Sequence, residues 1–221
     1  MFNVAIDGPA GAGKSTIAKL VAKKLEFTYV DTGSMYRAMA LACIRAGLKA
    51  GDEEKVCAVC KDLDVSLKYD DAGAQQVILN GENVNGYIRT EEVGNMTSAI
   101  AVYGPVREKL VELQRKLATE YDVIMDGRDI GTCVLKDAPV KIYLTASSRT
   151  RAERRYKELV EKGVECNLDD IEKDIIDRDY RDMNREISPL KQAEDAILVD
   201  SSDMNIEQVV DHLIEIINSR R

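Results

Sequence analysis

Histidine is almost missing from this chain: of 221 residues one is a histidine, His212, close to the C-terminal end. Catalysis by an imidazole base or nucleophile is thereby effectively excluded, because that chemistry needs the ring beside its partner groups. Long apolar runs are also absent. Apolar residues make up 45% of the sequence, yet no uninterrupted stretch approaches bilayer length. The apolar strand pattern starts at Phe2, which leaves no place for the charged and apolar parts of a secretory leader, so the chain is expected to be cytoplasmic. Cysteines are few and odd in number, at positions 43, 57, 60, 133 and 166, without a disulfide-framework spacing, as suits a reducing compartment. Cys57-x-x-Cys60 has neither a second pair nor a nearby histidine, and reads as two small apolar side chains one helical turn apart, not as a zinc or redox site. Positive charge is in deficit, 31 Lys and Arg against 39 Asp and Glu, for a net charge of −8. Broad binding to nucleic acid or to an anionic membrane is therefore not expected, and any anionic ligand must be held by locally clustered cations.

What the chain does have is Gly8-Pro9-Ala10-Gly11-Ala12-Gly13-Lys14-Ser15, set between the apolar run Phe2 to Ile6 and the helical pattern Thr16 to Leu25. Strand, glycine-rich loop and helix in that order form a phosphate-binding P-loop. Glycines let the backbone curl with its N–H groups inward, and the helix N-terminus adds partial positive charge. Lys14 then reaches the terminal phosphates and the Ser15 hydroxyl ligates Mg²⁺. The four fixed positions would match by chance in about one chain in a hundred of this length, so an incidental glycine turn is set aside.

Strands are expected to start near residues 2, 27, 121, 140 and 196, alternating with helices over Glu53–Leu63, 90–102, 106–118, 148–162, 168–183 and 206–217. This pattern predicts a five-stranded parallel sheet with helices on both faces, of P-loop NTPase type. Thr32 or Ser34 is expected to cap a helix beginning near Met35. Between about 64 and 86 the character changes to alternation, with Asp70-Asp71-Ala72-Gly73 and Asn80-Gly81 as turns, which predicts a small antiparallel β insertion. Ligands of such sheets bind beyond the carboxyl ends of the strands, where Gly8, Asp31, Asp126 and Ser147 should emerge.

Asp126 ends an apolar strand, the placement of an acid that holds a metal through water beside a P-loop; one hydroxyl and one such carboxylate suffice for Mg²⁺, which keeps several waters. Arg149, Arg151, Arg154 and Arg155 crowd into seven residues, and Arg178, Arg181 and Arg185 fall at i, i+3 and i+7, roughly one helix face. Arg149 and Arg151 are expected on a solvated face neutralised by acids, and some of the others are expected to clamp phosphate.

Together, Gly8 to Thr16, Asp31-Thr32-Gly33-Ser34-Met35-Tyr36-Arg37, Asn80-Gly81-Glu82-Asn83-Val84, Ile88-Arg89-Thr90, Asp126-Gly127-Arg128-Asp129-Ile130-Gly131-Thr132 and Arg178-Asp179-Tyr180-Arg181-Asp182-Met183-Asn184-Arg185 resemble the bacterial cytidylate kinase family. The resemblance runs in order across nearly the whole chain, and the Asp-Gly-Arg-Asp segment is its most specific part. It implies transfer of the ATP γ-phosphate to CMP or dCMP, with Mg²⁺ and with residues 8–16 around ATP. It further implies that Thr32, Arg37, Arg128 and Arg185 hold the acceptor phosphate, and that Ser98, Arg107 and Asp129 face the cytosine. Arg178 and Asp182 would hold the ribose, and Tyr36 joins the substrate-binding set. Lys14, Arg128, Arg178 and Arg185 are the expected catalytic cations. The implied organisation is one P-loop kinase domain over 1–221, with a monophosphate-binding insert at 64–94 and a mobile lid at 149–185. A monomer without nucleic-acid or membrane partners is expected. The competing readings are a kinase for another nucleoside monophosphate or small metabolite, and a nucleotide-dependent switch. Against a guanine-specific switch, no Asn-Lys-x-Asp element occurs.

Overall fold

The computed structural model describes residues 1–70 and 73–221. Its elements run β1 (Asn3–Asp7), α1 (Lys14–Leu25), β2 (Thr28–Asp31), α2 (Thr32–Arg45), α3 (Glu53–Asp62), β3 (Val65–Tyr69), β4 (Gln75–Leu79) and β5 (Glu82–Asn83). There follow α4 (Glu91–Ile100), α5 (Gly104–Glu120), β6 (Val123–Gly127), a π-helical turn over Ile130–Val134, β7 (Val140–Thr145), α6 (Ser148–Glu161), α7 (Leu168–Asn184), β8 (Ile197–Asp200) and α8 (Ile206–Asn218). The chain divides into two compact units, one of Met1–Tyr29 with Tyr121–Arg221 and one of Val30–Glu120.

Strands β6, β1, β7 and β8 of the first unit belong to the parallel sheet, whose strand order is β2-β6-β1-β7-β8. Parallel strands covered on both faces need continuous apolar runs, and Val4, Ala5 and Ile6 of β1 and Ile124 and Met125 of β6 are fully buried. Val4, Ile6 and Ile124 share a core with Ile17 and Val21 of α1 and with Val209, Val210, Leu213 and Ile217 of α8. The helical spacing of those α8 residues gives it one apolar face. Asn205 and Gln208 close a capping box at its start: the Asn205 side-chain Oδ1 accepts from the Gln208 backbone amide and the Gln208 side-chain Oε1 accepts from the Asn205 backbone amide, each at 2.9 Å. The expected five-stranded parallel sheet is therefore present.

Two local expectations change. β6 starts at Val123 and continues to Gly127, because its ladder with β1 runs on to Asp7 opposite Gly127. Tyr121 is left exposed outside the strand, and the Asp122 carboxylate accepts from the Phe2 amide instead. Asp126 is consequently inside the strand and not at its end. Arg151, expected on a solvated face, is instead a buried residue of α6.

In the second unit β3, β4 and β5 form the expected antiparallel sheet, with Val65 opposite Leu79 and Leu79 opposite Glu82. Asn80 and Gly81 both take positive φ, 48° and 86°, the requirement of a type I′ hairpin turn. Of the expected turn at 70–73, Asp71 and Ala72 lie outside the described residues. Helix α2 begins at Thr32, three residues before its expected start. Its cap is Asp31, whose Oδ1 accepts from the Ser34 amide at 2.9 Å, so Thr32 and Ser34 already belong to the first turn and neither is the cap. α2 buries Met35, Ala38, Met39, Ala42 and Cys43. Cys43 and Cys60 meet there with sulfurs 3.7 Å apart, while Cys57 is half-buried.

Candidate active site

The loop from Gly8 to Gly13 is dictated by two glycines. Gly8 has φ 148° and passes so close beneath β7 that a Cβ would stand 2.0 Å from the Leu144 carbonyl oxygen; no side chain fits. Gly13, at φ 85°, is the N-cap of α1 and has no side chain with which to satisfy the first amides of the helix, so those donors remain for an anion. Lys14 is buried, and its Nζ donates to the Pro9 carbonyl at 2.7 Å, which folds the ammonium back over the loop. Burial, and after it the Arg128 guanidinium, holds the Lys14 ammonium well below the ordinary lysine range, against the opposing pull of Asp126, Asp7 and Asp182. The remaining residues of the expected ATP segment, Pro9 to Ala12, Ser15 and Thr16, are in the loop and the first turn of α1, with Thr16 exposed.

Ser15 and Asp126 meet as expected. The Ser15 hydroxyl donates to Asp126 Oδ2 at 2.8 Å, and the Tyr29 hydroxyl donates to Oδ1 at 2.8 Å. A buried carboxylate and a hydroxyl at this separation are hard oxygen donors fit for Mg²⁺, which takes few protein ligands. Among the described residues, no group of three or more His, Cys, Asp and Glu side chains could hold a metal ion.

Beyond the carboxyl end of β6, Arg128 donates through Nε to Asp182 Oδ2 of α7 at 2.9 Å, and Arg185 Nη2 lies 3.8 Å from Asp129 Oδ1. Lys14, Asp126, Arg128, Asp129, Asp182 and Arg185 thus form one charged cluster in the first unit. Arg178 is half-buried on α7, one turn before Asp182. Arg181 is exposed and Arg185 lies past the helix end in extended backbone, so the three arginines do not share one face. Arg149 is exposed and paired with Asp169 and Glu172, as expected. Arg151 is not solvated: its guanidinium donates to the Ala146 and Ala10 carbonyls at 2.9 Å and to Asp179 Oδ2 at 2.6 Å, tying the phosphate loop to α7. The long aliphatic stem of Arg151 packs against Gly11, whose Cβ would lie 3.4 Å from it.

The second unit groups the other expected residues. Thr32 is buried in the first turn of α2, followed by half-buried Tyr36 and Arg37. Arg37 Nη1 donates to the Ile88 carbonyl at 2.9 Å, and the glycine at 94 leaves room for its guanidinium, 3.4 Å from where a Cβ would stand. Arg107 of α5 is buried with its guanidinium 6.0 Å above the Tyr36 ring. Ser98 of α4 donates to the Gly94 carbonyl at 3.2 Å. Arg89, not among the expected site residues, binds the Asp31 cap at 2.6 Å.

A family model described as cytidylate kinase matches residues 4–219. The chain belongs to the cytidylate kinase family. Curated members similar to it include the cytidylate kinases of Clostridium acetobutylicum, 51% identical over 219 residues and 99% of both chains, and of Clostridium perfringens, 50% identical over 213 residues and 96% of both. That of Lactobacillus johnsonii is 48% identical over 221 residues, covering 100% of this chain and 96% of its own. Among solved structures, an uncharacterized protein from Eubacterium ventriosum superposes with a TM-score of 0.55 at 13% identity over the full length of both chains. A sugar kinase from Janibacter sp. superposes with a TM-score of 0.50 at 13% identity over 99% of this chain and 95% of its own. These two likenesses concern the fold alone.

Three residues in or beside the first unit's cluster were not assigned to a site from sequence: Asp7, Tyr29 and Arg151. Asp7, the last residue of β1, accepts from the Ile130 amide through Oδ1 at 2.8 Å and from the Gly131 amide through Oδ2 at 2.7 Å. Burial pushes its carboxyl up to about 6 even though both amides pull the other way. Its place directly before Gly8 was the available signal. Tyr29 and Arg151 read as an ordinary strand residue and an ordinary helix cation, and only the fold gives them partners.

Proposed function

We propose that the chain transfers the γ-phosphoryl group of ATP to CMP or dCMP, giving ADP and CDP or dCDP. The observation that carries this is membership of the cytidylate kinase family over residues 4–219, and the cluster of Lys14, Ser15 and Asp126 supports it. We assign residues 8–16 to the ATP phosphates, with Lys14 neutralising the charge that spreads over the transferring group. Ser15 and Asp126 would hold Mg²⁺, the carboxylate through water. When bound, that ion neutralises phosphate charge and orients the group.

An oxygen of the CMP phosphate attacks the γ-phosphorus while the bond to the β-bridging oxygen of ATP breaks, leaving ADP. That oxygen is already anionic, so no base is needed, which suits a chain with one remote histidine. To the acceptor phosphate we assign Thr32, Arg37, Arg128 and Arg185. To the ribose we assign Arg178 and Asp182. Cytosine presents an amino donor where uracil has a carbonyl oxygen. A carboxylate at Asp129 accepts from the first and is left facing an oxygen with the second, a mismatch that discriminates strongly. Arg107, with Ser98, complements the ring acceptors, and Tyr36 supports the Arg107 guanidinium. We further propose that residues 64–94 serve monophosphate binding and that 149–185 acts as a closing lid that excludes water.

A coupled ADP-release assay across CMP, dCMP, UMP and AMP at fixed ATP and Mg²⁺ tests the assignment. Turnover that requires CMP or dCMP is the expected result. Preference for UMP or AMP would assign another acceptor, and ATP hydrolysis indifferent to all four would refute a kinase.

A further inference from the structure

The turn that follows Asp129 is unusual. Leu135 donates its amide to the Ile130 carbonyl at 2.7 Å and Val134 to that of Asp129 at 3.3 Å, the i to i+5 bonding of a π turn. Such turns are rare and concentrate at functional sites. Asp129, at its start, has φ −148° and ψ 27° and makes no side-chain cap to the turn. The first two amides of the turn would lack partners within it. Both are taken by one carboxylate from 123 and 124 positions earlier in the chain, that of Asp7, in buried bonds of 2.8 and 2.7 Å. Gly131 is pressed against the same group: a Cβ there would lie 3.4 Å from Asp7 Oδ2 and 3.1 Å from Lys141 Cδ.

We infer that Asp7 is a positioning residue for acceptor recognition, its carboxylate clamping the Ile130 and Gly131 amides so that Asp129 and Arg128 are presented in one fixed orientation. The inference rests on the assignment of Asp129 to the cytosine. A carboxylate suits this task because its two oxygens both accept, in directions that match two consecutive amides. An isosteric amide cannot do the same: in Asp7→Asn one atom accepts and the other is a donor facing a donor. One end of the turn is then released while the side-chain volume is unchanged. Asp7 also directly precedes Gly8, so the residue that fixes the base-reading loop is continuous with the loop assigned to ATP.

The experiment compares kcat/KM for CMP and UMP in the wild type, Asp7→Asn, Gly131→Ala and Asp129→Ala, with the Kd for ATP measured separately. Expected is a CMP-to-UMP ratio reduced about tenfold or more in Asp7→Asn, because one buried amide loses its acceptor. The Kd for ATP should stay within a few-fold of wild type. Gly131→Ala, whose methyl crowds Asp7 Oδ2 and Lys141 Cδ while Asp7 is kept, should lower the ratio too, and it serves alone if Asp7→Asn does not fold. A merely structural role would lower activity on both acceptors equally and leave the ratio unchanged. If the ratio falls in Asp129→Ala but in neither clamp variant, the inference is overturned and the cytosine assignment stands. If Asp129→Ala leaves it unchanged, the cytosine assignment fails and the inference falls with it.

Discussion

Replacing Tyr29 by phenylalanine removes one atom from the centre of the proposed metal site. Tyr29 is 7% exposed, and its hydroxyl donates at 2.8 Å to Oδ1 of Asp126, whose Oδ2 accepts from Ser15 at 2.8 Å. The phenylalanine ring keeps its place in the core cluster that includes Ile124 and Val21, so the apolar packing is retained while this hydrogen bond is lost. A bond to a buried charged acceptor is worth about 1.5–3 kcal/mol. For a chain of this size that corresponds to a fall in Tm of about 3–12 °C at about 2–4 °C per kcal/mol. If Asp126 holds Mg²⁺ through water, loss of one of its restraints also raises the free Mg²⁺ needed for half-maximal rate several-fold, with KM for CMP little changed. Thermal unfolding followed by circular dichroism, and an ADP-release assay titrated with Mg²⁺ at fixed ATP, measure the two effects. A Tm within about one degree of wild type would refute the energetic reasoning. A lowered Tm with an unaltered Mg²⁺ titration would refute the role given to Asp126.

Lys14→Met should lower kcat by about 10²–10³-fold in the same assay, the scale of losing one preorganised charge partner of the transition state; near-normal kcat would count against the phosphate-site assignment. Arg151→Met strips Asp179 of its buried partner and two carbonyls of a donor, and should destabilise the fold by about 3–5 kcal/mol in urea unfolding. A loss below about 1 kcal/mol would show that the pair is dispensable. The carboxyl of Asp7 has an ordinary value of 3.8 and is pushed up to about 6 in the fold. The folded state therefore holds this proton more tightly, and the resulting stability is full below pH 3.8 and lost as pH rises through 6. Between about pH 4.5 and 7.5 the wild type should lose about 2 kcal/mol relative to Asp7→Asn, read from urea midpoints, and parallel profiles would contradict the shift.

The phosphate loop was legible because its chemistry is local. Gly8, Gly13 and Lys14 lie within seven consecutive residues, between a strand and a helix that their own apolar spacing announces. The hairpin was legible for the same reason, since Asn80 and Gly81 alone meet the demand for two positive φ angles. The start of α2 was misplaced because Thr32, Ser34 and Asp31 are all competent caps, and the choice among them depends on which side-chain oxygen reaches a first-turn amide, here that of Asp31 on Ser34. Asp31 also receives Arg89 from 58 positions away, a contact that no window of sequence contains. Arg151 was misjudged on the same ground. A cation among four arginines looks solvated until Ala10 and Asp179, 141 and 28 positions distant, are brought to it. Asp7 shows the limit most sharply: its type and position were visible, but its function depends on two amides of a π turn that no local propensity encodes.

A net charge of −8 appears ill suited to a protein that must hold two phosphorylated molecules, and the arrangement of its cations resolves the difficulty. In the first unit Arg128 is paired with Asp182, Arg185 stands beside Asp129, and Arg151 is bound to Asp179. Each acid cancels a charge at long range while it restrains the guanidinium at short range. Long-range potential governs the capture of large polyanions, and it is screened within about 10 Å at ordinary salt. Specific hold on one phosphate depends instead on donors already in place, because ordering a long side chain costs about 0.5–1.5 kcal/mol at the moment of binding. Pairing arginines with acids settles that cost during folding and leaves the surface acidic. An acidic exterior and an arginine-rich site are thus two results of the same pairing, and the composition that argues against nucleic acid as a ligand is compatible with a mononucleotide.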